Sequence, residues 1–481
     1  MNTLQVLANQ VLGVFIFLLL SRYLEKDGYG ELNWSLAVLT FVTTILSLRL
    51  EQIVVRNVAA GKDPSALLTL FIAHNLGLGI IFFGLLLAGN FLFPALFRQH
   101  AILWILSISQ LLTFFALPFR QLATGKSAFG WLALLSSVSN LIRCAWLGWL
   151  AAFSVITLPR VLLVFTVSAL IEFGLGGYIV VGRLQIPFRT KDPFSGYGRL
   201  IKESLPQVGL VFLNAGIARI DWILMGFFST PAHTAEYSFA YRAYEFSPLP
   251  LLVLAPFLLN SFSRLFGAAN PDPAGAIPRM PGTRSNIAAP VWLNSFARLS
   301  AIFATLLPLW LVLAWSPLVD FLTDHKYGQV NAGTFLLLSA CIPCQYLINL
   351  FWSAEFAANR LGHILKVTAI AAVIVVSGDC LLIPVYAGQG AAIAYLAAMI
   401  VQCVLYARAS LFSGAWTWVS YMLAAIVIAV VSGVVAVWLT DSVPVRIAIA
   451  SLLYVMLGWG TGRLTADDLL LYPVTRKMLG K

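Results

Sequence analysis

Apolar residues run along this chain in long unbroken stretches, not in the one-sided stripes of a soluble helix. Fourteen stretches stand out, at roughly 4–24, 33–50, 67–89, 101–122, 131–153, 158–181, 204–228, 236–262, 291–317, 333–355, 363–385, 388–407, 418–440 and 445–461. A helix that is apolar all round belongs in a large core or in lipid. About 20 such residues cross the roughly 30 Å of a bilayer's hydrocarbon. The pattern predicts an all-α polytopic membrane protein with about fourteen transmembrane helices.

Composition agrees. Of the 481 residues, 60% are hydrophobic and only 10% charged, where soluble chains hold about 25%; the mean hydropathy is +0.89. A net charge of +11 could suit nucleic acid. The basic residues, however, sit mostly in short connections between apolar runs, so no nucleic-acid partner is implied. Cytoplasmic connections collect Lys and Arg. With the N-terminus inside, 21 of the 30 basic residues fall on the cytoplasmic side, 6 outside, and 3 (Arg143, Arg219, Arg242) within spans. That asymmetry predicts both termini inside and an even number of crossings. The first run lacks a basic flank and an A-x-A exit, and reads as a retained span. The five cysteines lie in or beside apolar runs. Cys341-x-x-Cys344 has no βαβ context and reads as two small packing residues.

Two connections are long and polar, and both fall on the cytoplasmic side. Residues 183–203 carry five basic residues with Pro187, Pro193 and Gly196, and 264–290 are rich in Pro, Gly and Ala. Both read as solvated linkers near an anionic leaflet. The first divides an N-terminal lobe, 1–182 with spans one to six, from a C-terminal lobe, 204–408 with spans seven to twelve. Residues 409–481 add two spans and a cytoplasmic tail. A shift of 208 residues sets Tyr29 on Tyr237 and brings the following apolar runs into register, so the lobes read as pseudo-symmetric six-helix halves. Such repeats fit transporters, whose substrate path lies between them; a channel or an enzyme could share the feature.

The most specific stretch is Asp379-Cys380-Leu381-Leu382-Ile383-Pro384-Val385-Tyr386-Ala387-Gly388-Gln389-Gly390-Ala391-Ala392-Ile393-Ala394. Pro384 would end one span, Gly388 and Gly390 permit a tight reversal, and Gly390-Ala391-Ala392 lets the next span pack closely. The stretch resembles the N-LLLIP-x-YG-x-x-GAAIAT signature of polysaccharide (O-antigen) flippases, the Wzx-type branch of the multidrug/oligosaccharidyl-lipid/polysaccharide (MOP) exporter superfamily. Asp379 stands where that family has Asn, and Ala387 where it has the first Gly of the turn. Arg22-Tyr23-Leu24 followed by Gly28-Tyr29-Gly30 is similar to the family's first outer loop. The resemblance implies a flippase of the bacterial inner membrane. It would move an undecaprenyl-diphosphate-linked oligosaccharide from the cytoplasmic to the outer leaflet by alternating access, for cell-surface polysaccharide or lipopolysaccharide assembly. Polysaccharide polymerase machinery is the protein partner it implies.

Flipping breaks no bond. What must fall is the cost of taking an anionic, hydrated head group through hydrocarbon, and cations, hydroxyls and aromatic faces in a wet cavity would lower it. Ionisable residues within spans are therefore the candidates. Arg219 lies deep in span seven and cannot pair simply with Asp221, two residues on and about 200° round the helix. It is a candidate phosphate contact, or half of an interhelical ion pair. Tyr237, Tyr241 and Tyr244 form one stripe on span eight, with Arg242 and Glu245 beside it. Tyr237 reads as interfacial belt, whereas Tyr241, Tyr244 and Arg242 are candidates to line a sugar cavity. Arg143 and Glu172 read as a structural pair between spans five and six, or Glu172 as a proton-coupling site. Arg22, Arg49 and Arg56 can snorkel to water; the family resemblance adds a role in binding the anionic head group.

No Walker A loop, H-E-x-x-H, G-x-S-x-G or acidic metal cluster appears. No ATP hydrolysis by this chain, no cofactor and no metal is expected. Other cargoes of the same superfamily remain open: lipid II, or a cationic drug exported by ion antiport. A membrane-embedded glycan polymerase or ligase would be expected to carry a large outer loop, and the longest loops here are cytoplasmic.

Overall fold

The computed structural model describes residues 2–188, 196–247, 249–268, 287–288 and 290–462. Parts of the predicted linkers (189–195 and 269–286) and the predicted tail from 463 onward lie outside the described residues. The described chain is almost wholly helical, and each apolar stretch falls mainly on helix, with 33–50 and 236–262 each divided over two helices. Among the described residues nine helices are long and apolar enough to cross a membrane, and a bent pair makes ten. This is a multi-pass membrane protein.

The described chain divides into two compact units, Met1–Ala235 and Glu236–Lys481. The first holds α1 (Asn2–Tyr23), α2 (Lys26–Leu46), α3 (Leu50–Ala59), α4 (Pro64–Leu92), α5 (Pro94–Gln99), α6 (Ile102–Gly125), α7 (Phe129–Ala152), α8 (Leu158–Gly177) and α9 (Tyr197–Phe228). A π-helical turn, Tyr178–Arg183, prolongs α8. The helix α10 (Pro231–Phe246) begins in the first unit and runs into the second. The second unit continues with α11 (Leu249–Ala268), α12 (Val291–Thr323), α13 (Ala332–Ala357), α14 (Leu361–Arg408), α15 (Ala415–Leu439) and α16 (Val443–Gly460). A two-residue parallel pairing joins Ile287–Ala288 to Phe412–Ser413.

Within the first unit α9 packs along α2. Phe41 meets Phe212 with ring centroids 6.0 Å apart, and Trp34 meets Phe227 edge-on at 5.7 Å. The span expected at 33–50 begins earlier, at Lys26, because the connection before it is itself helical. It ends in a bend of 48° before α3. Leu48 and Arg49 make that bend, both with positive φ (47° and 60°). α3 then lays an apolar face of Leu50, Ile53, Val54 and Val58 on Leu67, Leu68 and Phe71 of α4 and on Phe119 and Leu122 of α6. These recur at i, i+3, i+4 and i+8, the spacing of one helical face.

The reversal expected at 384–390 is present in α14, but its break sits at Ala387 (φ 46°, ψ −126°). The two halves return side by side. Gly378 approaches Ala394, whose Cβ lies 2.6 Å from where a Cβ on Gly378 would stand, and Gly390 backs onto the carbonyl of Leu382. A side chain at 390 has no room, which explains the Gly-Ala-Ala that follows the turn.

Candidate functional site

In the first unit, Arg219 lies on α9, nine residues from its end at Phe228, about 13 Å along the axis. Its guanidinium carbon stands 5.0 Å from the Trp222 ring centroid, and its Nη1 donates to the Ala218 carbonyl at 3.2 Å. Asp221 is fully buried and accepts the Trp222 backbone N–H at 2.8 Å. Both residues thus lie against Trp222, Arg219 at its ring and Asp221 at its backbone. Earlier on the same helix, a Cβ at Gly209 or Gly216 would meet nothing within 4 Å. Towards its C-terminal end α9 is clamped instead. Trp34 Nε1 donates to the Ile223 carbonyl at 3.1 Å, its ring lies against Gly226, and His100 stacks on that ring at 3.9 Å. His100 Nδ1 lies 2.8 Å from Glu31 Oε1. Nothing in the sequence links Trp34, His100 and Glu31, and sequence reasoning does not find the group.

The expected Arg143–Glu172 pair is arranged differently. Arg120 of α6 takes the nearer place, its Nε 3.5 Å from Glu172 Oε1. Arg143 Nε instead donates to Ser168 Oγ at 2.8 Å, with its guanidinium 4.4 Å from the Phe165 ring centroid. By sequence Arg120 counts with the cytoplasmic connections, although the stretch 101–122 runs past it. The apolar run goes on through Leu122 and Ala123, both fully buried, and that continuation is the signal that places Arg120 inside the helix.

Arg22 ends α1 and is exposed. Arg49 is half-buried at the left-handed turn before α3. Arg56 is exposed and pairs with Glu203 of α9 at 2.6 Å, with Lys62 4.0 Å from the same carboxylate. Such pairs hold little energy in water, about 0–1 kcal/mol.

In the second unit, Arg242 and Glu245 pair at 3.1 Å, each about a third exposed. The tyrosines of the same helix are buried. Tyr244 donates to Gln345 Oε1 of α13 at 2.9 Å. Tyr241 and Tyr244 both meet Tyr395 of α14 edge-on at 6.0 Å and each other at 5.6 Å. Tyr237, placed in an interfacial belt by sequence, is also buried, against Gly388. The signature stretch thus receives the tyrosine stripe: its turn glycine admits Tyr237, and the helix beyond supplies Tyr395. Among the described residues no group of three His, Cys, Asp or Glu could hold a metal ion.

Comparison with known proteins agrees with this architecture. A solved structure of the lipid II flippase MurJ, in an inward closed conformation, is similar over 98% of this chain and 99% of its own, at 14% identity and a TM-score of 0.72. An inward-facing multidrug resistance MATE family transporter of the MOP superfamily is similar over 83% and 93%, at 13% identity and a TM-score of 0.58. At these identities the likeness is one of fold. No curated protein matches the sequence. The polysaccharide biosynthesis protein family, in contrast, matches residues 1–259. The chain therefore belongs to the polysaccharide biosynthesis protein family, built on the fold that the MurJ flippase and the MATE transporters share.

Proposed function

We propose that this protein is a flippase of the bacterial inner membrane that carries a polyprenyl-diphosphate-linked oligosaccharide to the outer leaflet by alternating access. In this reading the chain crosses the membrane fourteen times with both termini inside, the halves of α14 counting separately and α10 with α11 together. The sequence repeat makes spans one to six and seven to twelve its two lobes, and the glycan passes to polymerase machinery outside. Arg219 is the observation that carries the proposal. An arginine near mid-membrane is expensive in lipid and marks a hydrated path, and the surroundings of α9 at Gly209 and Gly216 are open. Its guanidinium, stacked on Trp222, offers the charge and fork geometry that suit a diphosphate. Arg242, beside Glu245 and partly exposed, is the second candidate contact, and Arg22, Arg49 and Arg56 would gather the head group near the surface. Arg120, Arg143 and Glu172 act as scaffold in this reading, with the tyrosines of α10.

The test is protection of a labelled polyprenyl-diphosphate oligosaccharide from an external enzyme in proteoliposomes. Wild-type protein should protect it, Arg219→Ala should lose protection while still folding, and Arg219→Lys should keep part of it. Protection of lipid II alone would assign the cargo for which the MurJ flippase is named. Movement of a cationic drug alone would assign a MATE-like cargo.

A further inference from the structure

In the second unit the end of α13 and both ends of α14 meet around a buried carboxylate. The stretch Glu355-Phe356-Ala357-Ala358-Asn359-Arg360 closes α13 with a left-handed residue, Asn359 (φ 58°). The Asn359 N–H bonds the Phe356 carbonyl at 3.0 Å, and the Arg360 N–H bonds the Glu355 carbonyl at 2.9 Å. These two bonds make a Schellman cap, which turns the residue after the left-handed one back onto the last turn of the helix. A hydrophobic pair frequently fills that contact. Here it is Arg360 on Glu355, Nη1 to Oε1 at 2.8 Å. The same Nη1 donates to the carbonyl of Ala409, just past α14, at 3.0 Å.

The second carboxylate oxygen faces a different group. Glu355 is 3% exposed, and its Oε2 lies 3.3 Å from Nδ1 of His363, in the first turn of α14. Both atoms are buried, yet neither makes a hydrogen bond to any described residue. Tyr406, fully buried near the other end of α14, sets its ring edge-on to the imidazole at 5.8 Å. Buried polar atoms are nearly always paired. A hydrogen on Oε2 can turn to meet the Nδ1 lone pair, the imidazole then carrying its own hydrogen on Nε2. The His363 side chain is 24% exposed, which gives the pair a way to water. Each neighbouring helix brings an ionisable group to this end of the unit. Lys366 and Arg408 of α14 and Arg264 of α11 are exposed, and Arg298 of α12 donates to Tyr421 of α15. The charged ones are cations, so Glu355 is the one carboxylate in this group.

We propose that Glu355 and His363 form a proton site, in which one exchangeable proton between Oε2 and Nδ1 fastens the start of α14 to the last turn of α13. With the proton in place the carboxyl keeps two contacts, Arg360 at Oε1 and His363 at Oε2. On release the carboxyl O–H breaks and the proton leaves to water; no other bond changes. The carboxylate is then held by Arg360 alone, with the Nδ1 lone pair facing an anion. The fastening is therefore complete at low pH and loosens as the pH rises. None of the residues proposed to meet the transported cargo belongs to this site, so the fate of that reading does not decide this one.

Infrared spectroscopy and hydrogen–deuterium exchange of the full chain in lipid nanodiscs, from about pH 5 to 8, test the proposal. A protonated-carboxyl C=O band should disappear as the pH rises, and Glu355→Gln should lack that band. Over the same range, exchange of the 355–364 amides, corrected for intrinsic chemistry, should rise about tenfold, the equivalent of one net hydrogen bond. In Glu355→Gln, whose amide can donate to His363 at any pH, exchange should stay low and independent of pH. His363→Ala keeps the carboxyl but removes its acceptor, so exchange should be raised at every pH and the midpoint of the band displaced. Wild-type pH dependence of exchange surviving in Glu355→Gln would overturn the proposal. So would the absence of a titrating band in the wild type, or the same midpoint in wild type and His363→Ala, a comparison that decides alone if Glu355→Gln fails to fold.

Discussion

The indole of Trp34 lies where a side chain on Gly226 would have to go, and its Nε1–H donates to the Ile223 carbonyl one turn earlier on the same helix. One aromatic residue of α2 thereby fixes both the spacing and the register of α9. Overpacking a well-filled contact typically costs about 1–3 kcal/mol. Gly226→Val should lower the thermal midpoint of the protein in detergent by that order, and Trp34→Phe, which keeps a ring but loses the donor, by less. Equal midpoints for wild type and Gly226→Val would mean that the two helices do not meet this closely.

Ala387 turns α14 back on itself at φ 46°, a conformation that L residues adopt at a cost of about 1–3 kcal/mol and glycine adopts readily. Ala387→Gly, which restores the residue of the family signature, should therefore stabilise the fold by ~1 kcal/mol. The midpoint of unfolding in a denaturing detergent reads this directly. A drop in that midpoint would show that the turn is held in another conformation.

Glu172, buried inside the first unit, lies 3.5 Å from Arg120. Removing one partner of a buried ion pair is destabilising by about 3–5 kcal/mol. Glu172→Gln should fall in that range. Adding Arg120→Met should recover part of the loss, because it removes an uncompensated charge. If the double variant is as unstable as the sum of the two single ones, Arg120 and Glu172 do not interact.

Tyr244 separates a packing role from a cargo role. With its hydroxyl on the part-buried Gln345 and its ring against Tyr395, Tyr244→Phe should cost about 1 kcal/mol through the lost hydrogen bond. Flipping by the protein that still folds should then persist at the wild-type rate. Lost flipping at unchanged stability would move Tyr244 into the cargo path.

Much of the candidate chemistry is visible in the sequence only as an inventory. The spacing of Tyr237, Tyr241 and Tyr244 predicts a stripe, and the stripe exists. Its target does not follow from the spacing, because the rings that meet it belong to Tyr395 and its hydroxyl bond to Gln345, more than 100 positions away. Arg143 and Glu172 are legible as charges needing compensation. Which charge compensates which depends on α6 lying against α8 and on Arg120 falling inside α6. Arg219 and Asp221 can be set on opposite sides of α9 from helical geometry alone, since that is a local property of one helix.

By itself the sequence determined what the chain dissolves in and where it turns. Apolar runs of bilayer length admit one solvent, and backbone groups in that solvent must be satisfied within each helix. The 384–390 turn was legible for the same local reason: a proline and two glycines act on the residues beside them. Only the tertiary structure decided that α9 packs along α2, that Trp34 fills the space at Gly226, and that Arg120 stands beside Glu172. Hydrophobicity cannot choose between partners when every helix face and the lipid are equally apolar. In a membrane that choice falls to small residues, hydrogen bonds and shape, which are written in the sequence one residue at a time and acquire meaning only in pairs.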